Sequence, residues 1–166
     1  MQIQVNIRRA DLAALNLFFF PRARGNLIFF AVITVVIFIL MASQEPSLSP
    51  LTLAIALVAS LIGGLASLVV GLLLSLLPVL VSTGSHGGVL GPHTYRIDAE
   101  GLHEVTPVNE GLQRWAGVQE VGRSKRFVYI RINSYLFHLI PRHAFASDRE
   151  FEEFGDAAHA FWTSAA

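Results

Sequence analysis

Six histidines, His86, His93, His103, His138, His143 and His159, stand among scattered acids, and imidazole with carboxylate is first of all a metal-ligating chemistry. His138 and His143 flank a Leu-Ile-Pro-Arg stretch and can converge with Glu104 or His103 from a neighbouring strand. No pair has the spacing of a metal motif such as H-E-x-x-H, so ordinary strand and turn histidines are expected instead. The chain has no cysteine, which removes thiolate catalysis, disulfides and cysteine-type zinc sites. There is no Gly-x-Ser-x-Gly elbow, and no acid and base stand out as a pair, so neither enzymatic activity nor a cofactor is expected. The glycine-rich run Gly84 to Pro92 is not a phosphate loop, because no lysine follows the glycines and no strand precedes them. Binding chemistry is left. Arg123-Ser124-Lys125-Arg126 sets three cations in one turn, where each is able to contribute roughly 1 kcal/mol beside an anionic leaflet. Trp115 is the aromatic expected to share the contact surface with Arg123, Lys125 and Arg126.

The elements that must position these groups fall into two kinds. Of the 166 residues 53% are hydrophobic and only 14% charged, against about 25% in a typical soluble domain. The excess is local: no Asp, Glu, Lys or Arg lies between Glu45 and Arg96. Residues 27–42 form one apolar run, whose only polar side chain, Thr34, is expected to bond back to its own helix. With Gly25, Asn26, Ser43 and Gln44 the run reaches the length that a roughly 30 Å hydrocarbon core requires. It starts too late, and lacks the small residue, for a cleaved export signal, and Arg8-Arg9 is followed by Ala10-Asp11 rather than by a twin-arginine signal's apolar stretch. Residues 51–77 make a second run, with Ser49 as N-cap, Pro50 in the first turn, and Pro78 expected to kink or end the helix.

The short connection makes the two helices an antiparallel hairpin. Arg8, Arg9, Arg22 and Arg24 precede the first span, only Glu45 lies in the connection, and Arg96 follows the second. The positive-inside rule therefore places both termini in the cytoplasm of a two-pass inner-membrane protein. Ala59, Gly63, Ser67, Gly71 and Ser75 recur every four residues as a close-packing stripe, for the first span or for a second copy. Ala10 to Phe20 reads as an interfacial helix, and Ile3, Val5 and Ile7 alternate as a strand in search of a sheet.

From His93 onward the pattern is that of short strands and turns. His93–Asp98 and Leu102–Val108 flank Ala99-Glu100-Gly101, a loop expected to use Gly101 at positive φ, and Asn109-Glu110-Gly111 repeats the device. Strands are expected around 118–121, at 126–132 and at 135–140, with Val128, Ile130 and Ile132 facing a core and Phe127, Tyr129 and Arg131 on a partly wet face. Pro141 stops the last strand, and Ser147 with Glu150 is a capping box for a helix that buries Phe151, Phe154, Ala158 and Phe161. The expected fold is thus a membrane α-hairpin plus a small α+β domain: an antiparallel meander of six to seven strands, capped by a C-terminal helix, in pleckstrin-homology-like outline. The expected divisions are 1–26 (strand and interfacial helix), 27–82 (hairpin), 83–92 (glycine-rich linker) and 93–166 (cytosolic domain).

The run Ile97-Asp98-Ala99-Glu100-Gly101-Leu102, Trp115 ahead of Val118, the stretch Phe137 to Phe145, and the Phe151/Phe154 helix together resemble bacterial YcxB-like membrane proteins. The resemblance implies a two-helix anchor with a pleckstrin-homology-like domain, and brings no catalytic residue with it. The expected function is a non-enzymatic, membrane-anchored adaptor or regulatory binding module. An immunity or inhibitor protein against a toxin and a homo-oligomeric membrane assembly are the alternatives. Membrane lipids and a protein are the expected partners. Nucleic acid is not, since from His86 onward eight Lys/Arg oppose ten Asp/Glu.

Overall fold

The computed structural model describes residues 1–45, 47, 49–81, 89–134 and 136–165. The chain forms two compact units: Leu15–Val81, and Met1–Ala14 together with Ser82–Ala166. Most of the glycine-rich linker, with His86, and Tyr135 of the last expected strand lie outside the described residues.

In the helical unit, α2 runs over Arg24–Ser43 and α3 over Pro50–Val81. Both are long and apolar enough to cross a membrane. At 1.5 Å per residue the 20 residues of α2 span about 30 Å, the thickness of the hydrocarbon core. The cap is as expected: the Thr52 backbone N–H donates to Ser49 Oγ at 3.1 Å. Pro78 does not end α3 but lies inside it, and the helix continues to Val81.

The packing seam of α3 also differs from the expected stripe. Its deepest positions are Ala56, Ser60 and Gly64, while Ala59, Gly63, Ser67, Gly71 and Ser75 are half-buried. A four-residue step overshoots the helical repeat by about 40°, so a strict every-fourth row winds off the contact face. The buried row 56, 60 and 64 thus runs beside the half-buried stripe, of which Gly63 and Gly71 still face Ile37 and Phe20. A Cβ at Gly64 would collide with Thr34 and Phe30 of α2, and one at Gly63 would stand 2.7 Å from Ile37 Cδ1. The groove is therefore filled by the first span of the same chain. The Ser60, Ser67 and Ser75 hydroxyls donate to the carbonyls of Leu57, Gly64 and Leu72. Thr34 does not bond back to its helix as expected: its buried hydroxyl, pressed against Gly64, has no hydrogen-bond partner among the described residues.

The second unit begins with β1 (Gln2–Ile7), which pairs antiparallel with β2 (Gly91–Ile97), Val5 opposite His93. Between them in the chain lie α1 (Arg9–Phe19) and the hairpin. β3 (Gly101–Val105) and β4 (Glu110–Arg114) complete a four-stranded sheet ordered β1-β2-β3-β4. A 3-10 turn at Trp115–Gly117 separates it from a three-stranded sheet of β5 (Glu120–Arg123), β6 (Phe127–Arg131) and β7 (Phe137–Pro141). The expected single meander is thus two antiparallel sheets.

The turns also differ from expectation. Gly101 and Gly111 do not take positive φ; among the described residues only Gly91 does, at 105°. The first hairpin is closed by Asp98, whose Oδ1 accepts the N–H groups of Glu100 and Gly101. Gly101 is required for space, since a Cβ would strike the Gln113 carbonyl. In the second hairpin Thr106 Oγ1 accepts from Val108 and Asn109.

Helix α4 (Asp148–Ser164) closes the core. Ser147 Oγ accepts the Glu150 N–H, and the Glu150 carboxylate reaches back to Ala146. Phe151, Phe154 and Ala158 are buried against Val5, Ile97, Leu102, Val121, Val128 and Ile130. Phe127 and Tyr129 are buried too, so the second face of β6 is drier than its sequence alternation predicts. Its polar end is satisfied by Tyr129 donating to Glu120 at 2.6 Å.

Overpacking in a filled core costs about 1–3 kcal/mol. Gly64→Leu should therefore lower the thermal midpoint of the detergent-solubilised chain by several degrees, whereas Gly25→Leu, with no atom near its Cβ position, should leave it within error. Equal effects of the two substitutions would contradict the seam.

Candidate functional site

The turn between β5 and β6 is built by Ser124, whose Oγ accepts the backbone N–H groups of Arg126 and Phe127. Its three cations are not equivalent. Arg123 is held against α4, donating from Nη1 to Asp156 Oδ1 at 3.0 Å and to the Glu152 carbonyl at 3.0 Å. Gly155 lets this happen, because a Cβ there would stand 3.2 Å from Arg123 Cδ. Lys125 and Arg126 are exposed and have no ion-pair partner among the described residues. Their backbones are fixed by Arg142, which donates to both carbonyls and pairs through its guanidinium with Asp148. A rigid turn thus presents two free cations and one that serves the fold.

Trp115, expected at the contact surface, is 1% exposed. Its indole N–H donates to the Asp98 carbonyl at 2.8 Å and its ring stacks on Phe161 at 6.3 Å. Trp115 is a core residue.

The histidines divide. His143 pairs with Asp11 at 3.1 Å, His103 stands 3.1 Å from Asp98, and His159 meets Trp162 edge-on. His138 does converge with Glu104, joined by His93, one of the six histidines though not of the expected convergent set, and by Tyr95, which the sequence did not single out. Glu104 Oε1 lies 2.9 Å from His93 Nδ1, and Oε2 lies 3.4 Å from His138 Nδ1. The Tyr95 hydroxyl is 3.4 Å from His93 Nδ1 and also bonds Glu104. An ionised carboxylate only accepts, so each imidazole carries hydrogen on Nδ1, and the buried His93 Nε2 has no hydrogen-bond partner among the described residues. These side chains come from β2, β3 and β7, so the cluster joins the two sheets.

Burial opposes the charge on Glu104, but the hydrogen bonds from His138 and His93, the attraction of His138 and the Tyr95 hydroxyl outweigh it. The carboxyl is held well below its usual range. Burial, then the charge of Glu104, pushes the Tyr95 phenol far above its ordinary value, so it remains a donor. The signal in the sequence was alternation: His93, Tyr95 and Ile97 share one face of β2, and Leu102 and Glu104 the matching face of β3. No group of three acids or histidines is arranged to hold a metal ion among the described residues.

Residues 97–158, from the end of β2 into α4, match the family described as YcxB-like protein. The expected resemblance holds over that stretch. No curated protein and no solved structure matches the chain.

Because the folded pKa of Glu104 lies below its ordinary value of 4.5, the cluster's stabilisation is complete above that pH and is lost as pH falls through the folded value. Glu104→Gln should cost about 2 kcal/mol near neutrality and flatten the decline in stability below about pH 4.5, measured by chemical denaturation of the full chain. A parallel decline in both proteins would contradict the assignment.

Proposed function

We propose that this chain is a non-enzymatic, membrane-anchored adaptor or regulatory module, which presents a pleckstrin-homology-like domain to the cytosol from the bacterial inner membrane. The observation that carries the reading is an insertion: an apolar two-helix hairpin stands in the chain between β1 and β2, two strands that pair with each other. Seven strands in two sheets, closed by a C-terminal helix, support the pleckstrin-homology-like outline. The bias of Arg8, Arg9, Arg22 and Arg24 against Glu45 supports cytoplasmic termini. The filling of the Gly63–Gly64 groove by Phe30, Thr34 and Ile37 speaks for an anchor that packs on itself over one that oligomerises through this seam.

In this role Lys125 and Arg126 orient the domain by attraction to anionic headgroups, each contributing roughly 1 kcal/mol, or about fivefold in occupancy. Arg123 stays with α4. Both free cations are tryptic sites, which gives a direct readout on the full chain in nanodiscs. Cleavage after Lys125 and Arg126 should be at least about fivefold slower in phosphatidylglycerol-containing discs than in phosphatidylcholine discs. About 1 M salt, which shortens screening to about 3 Å, should abolish the difference. Equal cleavage in both discs would remove the turn from this role.

A further inference from the structure

Within the helical unit, Leu15–Val81, the only ionisable side chains are Arg22, Arg24 and Glu45. They are segregated. Arg24 opens α2 and Glu45 follows its end, about 30 Å apart along a helix that matches the hydrocarbon core. A cavity accompanies each end. The one at the acidic end, about 270 Å³, is lined by Met41, Glu45 and Thr52. The one at the basic end, about 220 Å³, is formed by Phe20, Pro21 and Leu27 facing Leu68, Val69 and Leu72. Its lining is almost wholly apolar, and Asn26, its polar member, spends its amide on the Phe20 carbonyl at 2.6 Å.

The two cations that neighbour the groove's residues in the chain are placed differently. Arg22, the residue after Pro21, lies with its guanidinium carbon 4.1 Å from the Phe18 ring centroid and donates to the Phe18 carbonyl at 2.6 Å. Its planar fork is thus held while further N–H groups stay free. Arg24, two residues before Asn26, is exposed and has no ion-pair partner among the described residues. At this size the cavity is below the range of drug-sized pockets, and its apolar lining suits hydrocarbon.

We infer that the groove seats one acyl chain of an anionic phospholipid, whose phosphate is held by Arg24 and Arg22. The apolar slot takes the hydrocarbon, the adjacent cations take the charge, and the acid at the far end of α2 disfavours the same headgroup at the other cavity. The inference rests on the membrane reading above, and deepens it from general lipid contact to one selective seat.

Native mass spectrometry of the full chain, extracted in mild detergent and offered phosphatidylglycerol or phosphatidylcholine of equal chain length, tests it. The wild type should retain one phosphatidylglycerol at least about fivefold better than phosphatidylcholine. Arg24→Gln should abolish the preference, and Val69→Trp, at an exposed groove position, should reduce retention of both lipids. Equal retention of the two lipids by the wild type, or an undiminished preference in Arg24→Gln, overturns the seat while the membrane reading stands. A chain that stays dissolved in water without detergent overturns both.

Discussion

Helices as apolar as α2 and α3 are costly to expose to water, and the other features of this chain follow from where that constraint falls. α2 and α3 expose Leu, Ile, Val and Phe around much of their circumference, including Leu27, Ile28, Val35, Ile62, Leu65 and Leu73. Their backbone bonds are satisfied within each helix, which is what a lipid environment demands. In such an environment no hydrophobic force would draw two helices together, and the close packing at Gly63 and Gly64 is the kind of contact that would hold them. The hairpin then returns the chain, and β1 and β2 close as neighbouring strands across an insertion of more than eighty residues.

The sheet unit is small and closes its core by contributions from across the sequence. β1 brings Val5 and Ile7, α4 brings two phenylalanines, and Trp115 and Trp162 tie the strands through indole N–H bonds to the Asp98 and Val118 carbonyls. The Glu104 cluster adds a polar tie between the sheets. Two imidazoles with a phenol supply the donors the carboxylate lacks, while His93 Nε2 has no partner among the described residues. The cations at the β5–β6 turn illustrate a division of labour: Arg123 and Arg142 are consumed by α4 acids and by carbonyls, which leaves Lys125 and Arg126 for an outside charge.

The two long apolar helices, the Ser49 and Ser147 caps, the aromatic face of α4 and the need of Ile3-Val5-Ile7 for a partner strand were all legible, because periodicity and capping are local properties. Turn chemistry was less so. Asp-x-x-Gly reads equally as a glycine turn or an Asx turn, and only the position of the Gln113 carbonyl decides that Gly101 is there for room. Trp115 read as a surface aromatic because a tryptophan between short strands carries no period that marks burial. The pairing of His93 with Glu104 depends on strand register, and Arg123's attachment to α4 on a packing that no spacing within the turn announces.

The absence of cysteine makes the central claim directly testable, since any introduced thiol is the sole thiol. Ser47→Cys in the hairpin connection and Thr163→Cys at the end of α4 are to be treated, each in the full chain and in intact spheroplasts, with a membrane-impermeant maleimide. The account predicts that Ser47→Cys is labelled at once and Thr163→Cys only after lysis. Labelling of both in intact spheroplasts, or recovery of the unlabelled chain in the aqueous fraction, would contradict it.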